Sequence, residues 1–146
     1  MKKRISVIAL ALAVLLSLTA CNFFSDHVDM AGGETETQAM VADMMAALAE
    51  ERLEDAKKLM HPSVVEKSDD PIGQMAAFLA GRKAVSMQRL EINVHSSSGT
   101  GGKVRQENAA YQVTLDDGTQ IYVAMMHLSD NAGEGFSSFQ IAIGVV

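Results

Sequence analysis

Tryptophan is absent from the 146-residue chain, and cysteine occurs once, as Cys21. A lone thiol cannot close an intramolecular disulfide, so the fold must hold together by packing. Aromatics are scarce, with two tyrosines and five phenylalanines. That scarcity speaks against a deep aromatic platform for sugars and leaves the core to aliphatic side chains and methionine. Basic residues are outnumbered, 12 against 18 acidic, for a net charge of −6. Such a surface is repelled by phosphate backbones, so no nucleic acid is expected as a partner. Motifs of nucleotide and acyl chemistry are missing as well. Residues 97–103 look superficially like a phosphate loop, but Ser97 stands where its first glycine belongs. Val104 replaces the hydroxyl residue that would hold magnesium. No Gly-x-Ser-x-Gly elbow is present. His27, His61, His95 and His127 are far apart and lack the tight spacing of zinc ligands, so no metal site is assigned.

The chain opens with Met1-Lys2-Lys3-Arg4, and an apolar run over residues 5–16 follows, broken by Ser6. A basic start, a short apolar stretch and small residues after it form the pattern of an export signal. The run is too short for a comfortable bilayer span, which takes about 20 residues. Leu18-Thr19-Ala20-Cys21 resembles the lipobox of bacterial lipoproteins. The resemblance implies cleavage between Ala20 and Cys21 and covalent lipid (diacylglycerol, then a fatty acid such as palmitate) on Cys21. The domain would then be anchored on the extracytoplasmic side of a membrane in the cell envelope. Asn22 is not the aspartate that marks inner-membrane retention, and the choice between inner and outer membrane stays open. Without residues 1–20 the basic count falls from 12 to 9 against 18 acidic, a balance of −9. Anionic headgroups repel that surface, so the lipid must hold the domain at the membrane.

Three segments follow: a signal peptide over residues 1–20, a tether over 21–34 and one domain over 35–146. The tether shows no periodicity and contains Gly32-Gly33. Thr35 and Gln38 have the spacing of a capping box. Met40, Val41, Met44, Met45 and Leu48 then recur at helical spacing over about 36–50. A second helix is expected over about 51–60, with Leu53, Ala56, Leu59 and Met60 on one face, ending at His61-Pro62. Asp70-Pro71 starts a third, with Ile72, Met75, Ala76, Phe78 and Leu79 inward and Gly81 closing it.

Alternation then replaces the helical period. Leu90, Ile92 and Val94 alternate with Glu91, Asn93 and His95 over about 85–95, and residues 96–102 read as a Gly/Ser turn. A second strand over 104–115 places Tyr111, Val113 and Leu115 on one face. Asp116-Asp117-Gly118-Thr119 is a hairpin signal, because glycine tolerates the positive φ of such turns. A third strand spans about 119–128, residues 129–135 form a loop, and a fourth strand spans about 136–146 with Phe139, Ile141, Ile143 and Val145 inward. Strand three is apolar on both faces, Ile121, Val123 and Met125 on one, Tyr122, Ala124, Met126 and Leu128 on the other. One face is expected to meet the helices and the other a second subunit or another protein.

Three helices followed by a four-stranded antiparallel meander make an α+β domain, the helices packed on one face of a curved sheet. The stretch Ala49-Glu50-Glu51-Arg52-Leu53-Glu54-Asp55-Ala56-Lys57-Lys58-Leu59-Met60-His61-Pro62, the helical first half and the terminal strands are similar to the cystatin-like or nuclear-transport-factor-like superfamily. Ketosteroid isomerase shares that fold. The resemblance implies a pocket between helices and sheet, with Tyr111, Tyr122, Met44 and Met125 as its candidate lining.

No carboxylate matches the family's catalytic base, so no catalytic residue is assigned. Glu50, Glu51, Glu54 and Asp55 interleave with Arg52, Lys57 and Lys58 as on a solvated helix face. The leading expectation is a non-catalytic binding or interaction module of the cell envelope without a cofactor, taking a small apolar molecule or an envelope protein. One alternative is a copper-handling lipoprotein using its nine methionines beyond Met1, among them the Met125-Met126-His127 cluster. Another is a small isomerase-like enzyme with a tyrosine directed into a polar cavity.

Overall fold

The computed structural model describes residues 29–31 and 36–144. Thr35, the expected helix cap, lies outside them.

Helix α1 (Glu36–Ala49) buries Val41, Met44, Met45 and Leu48, the stripe expected from its periodicity. It ends where Glu51 takes a left-handed conformation (φ 56) and the Arg52 N–H reaches back to Ala47 O at 2.8 Å. Helix α2 (Leu53–Lys58) is shorter than expected and buries only Ala56. The chain then straightens. Phe136 N–H donates to Leu59 O at 2.8 Å, and His61 N–H donates to Phe136 O at 2.9 Å. Met60-His61 therefore runs as a bridge along an edge of the sheet. A single 3₁₀ turn (Val65–Lys67) leads into α3 (Asp69–Leu79), with two acids in its first turn. The carboxylates favour that helix end electrostatically. Its close is shared by Ala80 (φ 51) and Gly81 (φ 79).

The sheet follows as β2 (Ala84–Gly99), β3 (Gly102–Leu115), β4 (Gln120–Asp130) and β5 (Gly133–Ile143), each antiparallel to the next. Ahead of the helices, β1 (Asp29–Ala31) pairs parallel with Ser86, Met87 and Gln88 on the far edge, so the strand order is β1-β2-β3-β4-β5. The α+β class, three helices and the four-stranded meander are as the sequence predicts. The parallel strand inside the stretch read as tether is an addition, since three residues are too few to show a period.

Two loops are shorter than expected. The β2–β3 ladder continues to Gly99 and Gly102, leaving Thr100-Gly101 as the turn. The β4–β5 connection reduces to Asn131-Ala132. Serine and glycine suggest loops by composition, yet cross-strand hydrogen bonds carry both residues along an exposed ladder. Register shifts at Arg89/Glu91 and Met126/His127 add bulges, and bulges bend a sheet.

The helices and one sheet face share a core of Met44, Met45, Leu48, Ile72, Leu79, Met87, Val113, Leu115, Ile121, Val123 and Phe136. The expected inward row of the last strand is only partly realised. Phe139 is buried, Ile141 half-buried and Ile143 exposed, and Val145 lies outside the described residues. The bulge resets the phase, so Phe136 is also inward and fully buried. On β2 the row Leu90, Ile92 and Val94 is exposed, because the strand runs on past the helices.

Gly135 makes the Met60-His61 bridge possible. A Cβ on Gly135 would lie 2.6 Å from His61 N and 2.6 Å from the Met60 carbonyl carbon. Gly135→Ala is expected to cost about 2–3 kcal/mol in urea unfolding. Gly99→Ala, with nothing within 4 Å of its Cβ, should stay within about 0.5 kcal/mol. Equal stability of the two variants would show that the bridge does not form.

Candidate functional site

On the helix-facing side, β3 presents Leu115, Val113, Tyr111, Ala109 and Glu107, all buried. β4 sets Ile121, Val123, Met125 and His127 beside them, with Tyr111 opposite Val123, Ala109 opposite Met125 and Glu107 opposite His127. An apolar row thus ends in a polar pair, Glu107 at 3% and His127 at 4% exposure. Burying charged or polar groups is costly unless they are satisfied, which singles this end of the sheet out.

Its neighbours are only partly complementary. Arg105 Nη2 is 3.4 Å from Glu107 Oε2, a loose contact from an exposed guanidinium. His127 Nε2 stands 3.2 Å from Glu134 Oε1, an ion-pair distance without the alignment of a hydrogen bond. The His127 ring meets the Phe136 ring edge-on, centroids 6.0 Å apart. Glu107 Oε1 and the Tyr111 hydroxyl are buried with no hydrogen-bond partner among the described residues. Burial pushes the Tyr111 hydroxyl up to about 12, the Glu107 carboxylate adds to the rise, and Arg89 opposes it.

Chemically, this cluster is a buried neutral phenol beside a carboxylate, with an imidazole across the ladder. It can anchor a polar group. It offers no activated nucleophile. Among the described residues no group of three acidic, histidine or cysteine side chains could hold a metal ion.

The sequence candidates separate. Met44, Met125 and Tyr111 are brought together in the helix–sheet interface, which their side chains help to fill. Tyr122 lies on the other face, opposite Gln112 and Ala142, half-buried with its ring against Gly144. Ala20, Cys21 and His27 lie outside the described residues. His61 is structural. Its Nε2–H donates to Asp130 Oδ1 at 3.1 Å, and Nδ1 accepts from the Ser63 hydroxyl at 2.7 Å. The Asp130 carboxyl is held below its usual range by the Ala132 backbone N–H first and by His61 as well. His95 is exposed on β2. Met125 and Met126 alternate across the sheet, the first buried and the second half-buried, so the Met-Met-His run does not converge on one face.

Glu107 and Glu134 were not among the sequence candidates. Glu107 was legible in principle, since it has the parity of Tyr111, Val113 and Leu115 and so had to share their buried face. Glu134 is placed by the short β4–β5 turn, which composition concealed.

Grooves among the described residues include two on the flanks of the domain. One of about 380 Å³ lies between α3 and β5, lined by Met75, Phe78, Phe139 and Ile141. Another of about 470 Å³ lies near the β2–β3 turn, lined by Ser96, Ser98, Lys103, Arg105 and Ser129. No protein family, curated protein or solved structure matches the chain.

A phenol buried without a partner predicts the effect of its removal. Tyr111→Phe should leave stability at pH 7 unchanged or raise it by about 1 kcal/mol. The unfolded phenol ionises near 10 and the folded one at about 12. Between those values the unfolded state binds fewer protons, so stability falls as pH rises. The original chain should lose roughly 2 kcal/mol more than Tyr111→Phe across that window. Denaturant titrations at pH 7, 10 and 12 read both effects. A loss above about 1 kcal/mol at pH 7 would show that the hydroxyl has a partner.

Proposed function

We propose that this chain is a lipid-anchored lipoprotein of the bacterial envelope whose domain is a non-catalytic protein-interaction module. The observation that carries the reading is Leu18-Thr19-Ala20-Cys21 placed after a basic start and a short apolar run, in a chain with no other cysteine. Each methylene buried in a bilayer contributes about 0.8 kcal/mol, and more than one acyl chain on Cys21 makes the attachment stable. The domain is then held at the membrane surface, and its exposed features meet partners there.

The geometry favours a protein partner over an enclosed small molecule. Met44, Met45, Leu48, Met87, Tyr111 and Phe136 are all at most 1% exposed and occupy the space between helices and sheet. Exposed apolar side chains instead include Leu90, Ile92 and Val94 on the extended β2–β3 arm, with Val104 on its other face, and Leu53, Val85 and Ile143 elsewhere on the domain. Neighbouring exposed apolar side chains, as Ile92 and Val94 are, support an interaction surface in this reading. Kinship with the cystatin-like or nuclear-transport-factor-like superfamily is part of this proposal. It rests on the order of helices and antiparallel strands, and in this reading the family's pocket is filled by methionine and phenylalanine.

Expression of the full chain in a bacterium with an alkyne-labelled fatty acid tests the anchor. The chain should take up label and sediment with membranes, Cys21→Ala should do neither, and inhibition of the lipoprotein signal peptidase should accumulate the uncut form. A chain that is processed without taking up label would refute the proposal.

A further inference from the structure

Beyond Glu107, towards the β2–β3 turn, the helix-facing side of the sheet changes character. Ser96 stands opposite Arg105 and Ser98 opposite Lys103, and Ser129 of β4 stands opposite Arg105 from the other side. Directly opposed residues share a face. All five side chains therefore lie on the face that carries Glu107 and Tyr111, and they line the groove of about 470 Å³. Ser97 and Val104 complete its floor, their side chains turned to the other face.

The local charge runs against that of the chain. Residues 92–106 contain two basic side chains and no acidic one, in a chain of net charge −6. Elsewhere Arg52, Lys57, Lys58 and Arg82 are held by carboxylates at 2.7 to 3.3 Å. Lys103 has no ion-pair partner among the described residues, and the hydroxyls of Ser96, Ser98 and Ser129 have no hydrogen-bond partner there. Arg105 is engaged only by its loose 3.4 Å contact to Glu107. The other nearby carboxylate, Glu134, stands opposite Ser129 and lies 3.2 Å from His127 Nε2.

We propose that this groove binds a phosphate group. An ammonium, a guanidinium and three hydroxyls supply more donors than the two oxygens of a carboxylate can accept. A phosphate has more acceptor oxygens and a larger charge, and guanidinium and ammonium both suit it. Two residues apart on one strand, Lys103 and Arg105 have Cα atoms roughly 7 Å apart, so their long side chains can close on one group. This is not a phosphate loop, because its donors are side chains across a hairpin. The acidic remainder of the domain repels a phosphate-dense surface, which favours a single group, on a soluble molecule or a lipid headgroup. The proposal does not rest on the lipid anchor.

The chain purified from bacterial membranes in neutral detergent, titrated with inorganic phosphate at constant ionic strength, provides the test. Amide NMR shifts should saturate at residues 96–98 and 103–105, and acetate should not reproduce them. Lys103→Gln should weaken phosphate about tenfold, as expected for one lost charge-assisted bond. Ser96→Ala combined with Ser98→Ala should weaken it by about the same factor at unchanged charge, which separates placed donors from a diffuse field. Lys67→Gln, an exposed lysine on the helical side, should change it by less than about twofold. The titration is repeated in phosphatidylcholine bilayers with and without phosphatidic acid. Competition would put the group on a lipid headgroup, and its absence on a soluble molecule. No saturable binding, an equal response to acetate, or an affinity indifferent to Lys103→Gln would overturn the proposal.

Discussion

The fold depends on two backbone hydrogen bonds. Phe136 N–H to Leu59 O and His61 N–H to Phe136 O fix the end of α2 to the outer strand. They add backbone contacts to the side-chain packing between the helical layer and the sheet. With them, the point where helices become sheet-bound is set to one residue. Their geometry requires the close approach that Gly135 permits. It also requires an end to helix, and Pro62 discourages helical geometry at His61. The buried His61 ring then ties the bridge to Asp130 at the end of β4. These contacts act together with the shared core in setting how the α and β halves face each other.

Much of this was legible from local pattern. The α1 stripe is strongly periodic, and its four central apolar residues are buried as expected. Tyr111, Val113 and Leu115 alternate cleanly and lie inward. The Asp116-Asp117-Gly118 turn is read from glycine, which adopts φ 84. What escaped was non-local. The inward phase of β5 depends on a bulge opposite Met126/His127, and a bulge has no periodic signature. The length of β2 depends on pairing with β3 rather than on its own serines. Its apolar row alternates as on a half-buried strand, but alternation reports two faces and does not report whether anything covers them. In the candidate site, Tyr111, Met44 and Met125 were legible as inward residues. Tyr122 was the wrong parity for that group, four residues from Met126 on the same outer face.

Glu107, His127 and Tyr111 sit uneasily with a core of methionine and aliphatic residues. Each buried polar atom left unmatched costs about 1–3 kcal/mol. Phe136 packs edge-on against the imidazole, and the Arg105 guanidinium approaches Glu107 from the rim, which offsets part of that cost. The cluster lies where the helices stop covering the sheet, so it forms the boundary between the packed domain and the bare arm of β2 and β3. A polar boundary of this kind also limits how far the apolar surface extends. Ile92 and Val94 are left facing solvent beside Ala109 and Glu107.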